Sequence, residues 1–190
     1  MTSKDFQALT SIIQQETREV LQAISPESIN ALMGKIRNAQ RIFVTGKGRT
    51  GLQMRSFTMR LMHLGLDAYM LGDVTTPAVG AGDLVLIGSA SGRTGSLVSL
   101  IEKASALGLE IASITSQPNN PISEASDVKV ILPCPTHKNL DNTGAKPSIQ
   151  PMGGLFEAAL SVLLNTVVLM LMDEMGVTEE MMIKRHANLE

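Results

Sequence analysis

RIFVTGKGRTG, residues 41–51, joins a short apolar run to Gly46, Gly48 and Gly51. A strand that feeds a glycine turn and then a helix brings free backbone N–H groups and the helix dipole to one point, where an anion is attracted. The glycines fit a dinucleotide fingerprint, and Asp73 stands near the end of the next apolar run, where such a fold keeps its ribose carboxylate. The same turn also suits a smaller phosphate, or simply a tight passage from strand to helix. A Walker A loop is excluded, because Lys47 lacks the glycine spacing before it and Ser or Thr after it.

Further runs of strand length follow: DAYML from Asp67, DLVLIGS from Asp83, LEIASIT from Leu109 and DVKVIL from Asp127. Between them, LQMRSFTMRLMHL closes at Gly65 and SLVSLIEKASAL at Gly108, both expected as left-handed caps. The link GDVTTPAVGAG, residues 72–82, carries proline and is left without an assigned form. Upstream, Phe6, Leu9, Ile13, Val20 and Ile24 recur at helical spacing, and Ser25 with Pro26 predicts an N-cap and first position of a second helix. Strands alternating with helices imply a parallel sheet covered on both faces, with ligands beyond the carboxyl ends of its strands.

The loop after the third strand is SASGRTGS, residues 89–96. Ser89, Ser91, Thr94 and Ser96 offer hydroxyls, and Gly92 and Gly95 let backbone approach a ligand. Several short donors converging before a helix make a cradle for a phosphate monoester, which a dinucleotide site does not need. The plain alternative is that a hydroxyl caps the helix, which suits one of the four but hardly all of them. Around the first loop, Lys47, Arg49, Arg55 and Arg60 cluster. Arg49 is the candidate to meet a ligand, since it sits inside the glycine turn.

The 190 residues predict one domain, with an N-terminal helical segment over 3–38 and C-terminal helices over 152–188. A net charge of −2 and 3% aromatic residues give no basic field or stacking platform for nucleic acid. Cys134 is the lone cysteine, and MTSKDFQAL lacks the apolar core of a signal peptide, so a reducing cytoplasm is expected. AALSVLLNTVVLMLM, residues 158–172, is too short for a membrane span and predicts a core helix or a subunit interface. PCPTHKNLDNTGAKPSIQ, residues 133–150, is a long polar loop without periodicity, of the kind that carries function or lacks order. A last helix opens at Thr178, where Glu179 and Glu180 suit the dipole.

Glu157 is the only charged residue between Lys146 and Asp173 and begins the apolar helix. It either satisfies the helix N-terminus or serves as a base partly desolvated by apolar neighbours. His63 reads as a packed or surface histidine, His137 lies in the long loop, and His186 falls in the terminal KRHANLE. No pair has metal-ligand spacing, so no metal is expected.

Taken together, GKGRTG, SASGRT, QPMGGLFE and KRHANLE resemble the 6-phospho-3-hexuloisomerases of the sugar isomerase (SIS) family, over essentially the whole chain. The resemblance implies an α/β fold with a five-stranded parallel sheet flanked by helices, a flavodoxin-like sandwich. It implies a homotetramer with sites at subunit interfaces, no cofactor, and interconversion of D-arabino-hex-3-ulose 6-phosphate with fructose 6-phosphate in the ribulose monophosphate pathway. Carried over by position, it assigns Ser89, Ser91 and Thr94 to the phosphate and Gly48 and Arg49 to the wall of the site. Glu157 is assigned as base and His186 as proton carrier, reaching a neighbouring subunit's site. Functional coupling to a hexulose-6-phosphate synthase is a further expectation. Arg93 departs from the family, which usually carries Glu there, and stays outside the catalytic set. Two other readings stand beside the isomerase: a non-catalytic module that binds a sugar phosphate, and a dinucleotide enzyme.

Overall fold

The computed structural model describes residues 5–136 and 146–189. Two helices, α1 (Phe6–Gln22) and α2 (Pro26–Asn38), precede β1 (Ile42–Gly46) and α3 (Gly48–Leu64). Then come β2 (Ala68–Met70), β3 (Leu84–Gly88), α4 (Gly95–Ala106), β4 (Glu110–Thr115), α5 (Pro121–Glu124) and β5 (Val128–Ile131). A 3-10 turn at Pro151–Gly153 leads into α6 (Gly154–Met175), and α7 (Glu179–Ile183) ends the regular structure.

All five expected strands form, and they pair in parallel in the order β2-β1-β3-β4-β5. The apolar side chains of the strands divide between two cores. Ile42, Val44, Leu84, Leu86, Ala112 and Ile114 face a large core closed by α1, α2, α3 and α6. Phe43, Val85, Ile87 and Ile111 alternate to the other face, under α4 and Ile122 of α5. Both faces being covered explains why the strands read as continuous apolar runs.

Local signals act as expected at several ends. Ser25 caps α2 with Pro26 in its first turn, Thr178 caps α7, and Gly65 and Gly108 take left-handed conformations after α3 and α4. Residues 72–82 form no helix, and Leu71 and Val79 on this link pack against the smaller core. The turn of helix at α5 was not expected; Asn120 caps it, with its Oδ1 accepting from the Ser123 N–H at 2.9 Å.

The apolar run expected at 158–172 is longer in the fold, because α6 extends through both of its flanks to 22 residues. Residues 151–175 are therefore long and apolar enough to cross a membrane by length and composition, and half of the most apolar stretch is buried inside this fold. Leu155, Phe156, Ala159, Leu160, Leu163, Leu164, Val167 and Leu171 make the buried side, whereas Val162 and Leu169 are exposed. Cys134 lies in the large core, and burial pushes its thiol up to about 12, which keeps it protonated.

At the amino ends of β1 and β3, Arg41 grips Asp83 through two hydrogen bonds of 2.6 and 3.0 Å, and the Gly80 N–H adds a third at 2.7 Å. Burial alone would raise the Asp83 pKa. The hydrogen bonds and the Arg41 charge outweigh it and hold this carboxyl below its ordinary 3.8. A depressed folded value adds stability that is present above the unfolded pKa and is lost as pH falls through the folded one. Asp83→Ala strands Arg41 and should cost about 3 kcal/mol. In thermal unfolding at pH 7 that is a fall in Tm of roughly 6–12 °C, shrinking below pH 4 as the wild-type pair itself is lost.

Candidate active site

The strand order reverses between β1 and β3. The chain leaves β1 through α3 on the large-core face, whereas it leaves β3 through α4 on the other, so the two following loops diverge and open a crevice. A cavity of about 200 Å³ occupies it. Lys47, Gly48, Arg49 and Thr50 form one wall, Ser89, Ala90, Ser91 and Thr94 another, and Met152, Gly153 and Glu157 arrive from the start of α6. Six of the seven residues expected at the site thus meet in one place: Gly48, Arg49, Ser89, Ser91, Thr94 and Glu157.

Three helices begin at this cavity, and none has a side-chain cap: Lys47 before α3, Thr94 before α4 and Gly153 before α6. The other four helices are capped, by Asp5, Ser25, Asn120 and Thr178. First-turn N–H groups without a side-chain acceptor and three positive dipole ends therefore converge where an anion would sit. The hydroxyls are free for the same task. Ser89 and Thr94 make no side-chain hydrogen bond among the described residues, and Ser91 Oγ accepts only a long one of 3.3 Å from the Arg93 N–H. Ser96 faces elsewhere, into an apolar hollow beside α4.

The loop after β3 is fixed from behind. Gly92 has a φ of +61°, and any Cβ there would collide with the side-chain amide of Asn120, which is 1% exposed. Asn120 in turn donates to the Gln117 carbonyl and to Ser123 Oγ, and the Ile122 N–H reaches back to the Gly92 carbonyl at 3.3 Å. Arg93 points out of the site and donates to the Asn119 carbonyl at 3.2 Å. Its charge thus tightens the same junction and does not line the cavity.

Glu157 lies in the first turn of α6 with its side chain 12% exposed. Arg49 Nε stands 3.0 Å from Glu157 Oε2, but the N–H is not aligned with it, and that oxygen is buried with no hydrogen-bond partner. The contact is coulombic, and Arg49 is largely exposed, so the carboxylate keeps an unshared lone pair for a proton. The alternative reading, a carboxylate bonded to its own helix N-terminus, fails on that missing donor.

The glycines of the first loop serve packing as well as ligand approach. A Cβ on Gly51 would lie 2.7 Å from the Gly46 carbonyl oxygen, so α3 rests directly on β1. Asp73, the expected ribose carboxylate, is engaged by Arg55 through bonds of 2.7 and 3.0 Å. With that acid occupied the dinucleotide reading loses its ribose partner, and the cavity is also smaller than the roughly 300–1,000 Å³ common for larger ligands.

His186 is not at this cavity. It stacks on His63 with ring centroids 5.3 Å apart, at the far end of α3. From Gly48 to His63 the helix rises roughly 22 Å. Arg185 fastens the tail there, donating to the His63 carbonyl at 3.0 Å. Burial, then the Arg60 and His186 charges, push the His63 pKa down. His137 lies outside the described residues. Sequence reasoning did not single out Thr136, Met152 or Gly153 as lining residues, and it set Lys47 aside as solvated. Thr136 is the first hydroxyl after β5, so the rule that ligands sit past strand ends pointed to it. Met152 takes a φ of 58°, a strained value without glycine that is tolerated beside functional sites.

Comparison with known proteins agrees with this geometry. The family described as SIS domain matches residues 35–161. A Bacillus subtilis protein named 3-hexulose-6-phosphate isomerase is 41% identical over 88% of this chain and 89% of its own. One of the same name from Mycobacterium gastri is 39% identical over 95% and 89%. Among solved structures, a Methanococcus jannaschii protein whose structure was taken to infer a 3-hexulose-6-phosphate isomerase superposes with a TM-score of 0.81. It is 32% identical and covers 95% of this chain and 98% of its own. With a glycine turn and a hydroxyl loop facing one another across the strand reversal, and with these relatives spanning nearly the whole sequence, the chain belongs to the SIS domain family.

Proposed function

We propose that the protein interconverts D-arabino-hex-3-ulose 6-phosphate and fructose 6-phosphate, the activity for which its relatives are named. The observation that carries this reading is a single cavity holding an anion cradle and one acidic side chain whose buried oxygen has no donor. Ser89, Ser91, Thr94 and the bare N–H groups at the start of α4 take the phosphate. A ketone at carbon 3 acidifies the hydrogen on carbon 2; Glu157 lifts that proton, an enediolate forms, and Glu157 returns the proton to carbon 3. Gly48 and Arg49 close the wall, and the Arg49 charge stands beside the oxyanion that develops. A sensing module would need the cradle but not a poorly bonded carboxylate within it.

A second group must carry the proton between the two oxygens, and an imidazole suits that because it titrates near neutrality. We assign it to His186 of a second copy of the chain. Its distance from its own cavity and the anchoring of the tail by Arg185 support the assignment. Exposed Leu52 and Met59 on α3, with Val162 and Leu169 on α6, offer apolar surface for that copy, and the homotetramer is the assembly proposed. A cytoplasmic setting beside a synthase that supplies the hexulose phosphate completes the proposal.

Glu157→Gln should lower turnover by about 10³-fold or more while fructose 6-phosphate binds within a few-fold of wild type. Hydrogen exchange next to the ketone, followed by NMR in deuterated water, reads the first, and calorimetry the second. Retained exchange would remove Glu157 from its role. Hybrid oligomers made by co-expressing Glu157→Gln with His186→Ala should regain part of the activity that each lacks alone, and no recovery would end the shared-site assignment. Thr94→Ala should weaken phosphate binding about tenfold, one lost hydrogen bond, yet leave Tm within a degree or two. Ser25→Ala, which removes a working cap, should cost about 1 kcal/mol with phosphate binding unchanged.

A further inference from the structure

Thr136 follows β5 and lines the same cavity as Glu157. It is 3% exposed, and its hydroxyl oxygen is closed off from solvent without a hydrogen-bond partner. Among the described residues, three buried side-chain polar atoms share that condition: Ser113 Oγ, Thr136 Oγ1 and Glu157 Oε2. Ser113 sits within β4 under its neighbours, whereas the other two border one cavity. A buried hydroxyl left unpaired destabilises the free protein, so its presence at a cavity wall calls for a partner that arrives later. A rotation of about 120° around the Cα–Cβ bond carries the hydroxyl to another staggered position, so the donor can be presented without moving the backbone.

We propose that Thr136 is a specificity-determining residue that hydrogen-bonds the hydroxylated carbon chain of the substrate, not its phosphate. The inference rests on the isomerase reading of the site. Thr136 comes from the end of β5, apart from the β3 loop that supplies the phosphate donors. The two unpaired oxygens are also complementary in kind. Thr136 has a proton to give, Glu157 as carboxylate only accepts, and a sugar hydroxyl can accept from one and donate to the other. Phosphate oxygens at neutral pH accept only, and their charge is repelled by Glu157. Between a phosphate and a neutral polyol, the polyol is therefore the better match for the two unpaired oxygens that line this cavity.

The test compares Thr136→Val, which keeps the shape and removes the hydroxyl, with Thr136→Ser, which keeps the hydroxyl. Without ligand, Thr136→Val should unfold at the wild-type temperature or slightly above it, since no native hydrogen bond is lost. By calorimetry its Kd for fructose 6-phosphate should rise about tenfold or more, with kcat/KM falling in step, while its Kd for inorganic phosphate stays within about twofold. Thr136→Ser should remain within about threefold of wild type in both. Unchanged fructose 6-phosphate binding by the valine variant would overturn the proposal, as would an equal loss for inorganic phosphate. A fall in Tm of more than about 3 °C would mark the hydroxyl as structural and overturn it too. If the wild-type protein binds fructose 6-phosphate but does not turn it over, the isomerase reading fails, and the binding comparison still decides the role of Thr136.

Discussion

The first turn of a helix has N–H groups that must find acceptors, and here three helices begin at one cavity with no side chain supplying one. Lys47, Thr94 and Gly153 each precede a helix without capping it, although Asp5, Ser25, Asn120 and Thr178 show that caps are used elsewhere in the fold. The reversal of strand order between β1 and β3 brings two of these ends together, and the turn at Pro151–Gly153 brings in the third. A site made this way is selective by charge before any side chain acts. Glu157 adds the opposing sign, in the first turn of α6 beside Arg49, with no donor on its buried oxygen. The hydroxyl loop proposed for the phosphate and the carboxylate proposed as base thus lie on different walls of one small cavity.

Much of this was readable from the residues. The strands announce themselves as apolar runs, and Ser25–Pro26, Thr178, Gly65 and Gly108 mark helix ends because their local chemistry decides the matter without help from distant parts of the chain. The two loops were readable for a related reason: glycines and hydroxyls at the junction of strand and helix have few other uses. Thr136 was readable only by its place past the end of β5, since nothing else in PCPT distinguishes a hydroxyl at a cavity wall from one in a loop. That distinction is made by β5 and α6, which are distant in sequence. Asp73 shows the opposite error, a residue with the right spacing for a ribose whose carboxylate is held instead by Arg55. α6 falls inside the C-terminal helical segment expected over 152–188, and its apolar stretch at 158–172 marks only the middle of a helix that runs through both flanks. His186 sits at the end of the chain, where order is seldom expected, and only the Arg185 contact to the His63 carbonyl reveals that the tail is fastened.

The junction between Gly92 and Asn120 has a bearing on how this protein can change. Asn120 is committed to Gln117 and Ser123 and leaves no volume for a side chain at position 92, so the two positions cannot drift independently. A side chain can enter at position 92 only if Asn120 gives way first, which holds this side of the cavity to its present form. A descendant acquiring taste for a longer or shorter sugar would be remodelled through Met152 and Thr136, with its grip on the phosphorylated end passed on unchanged.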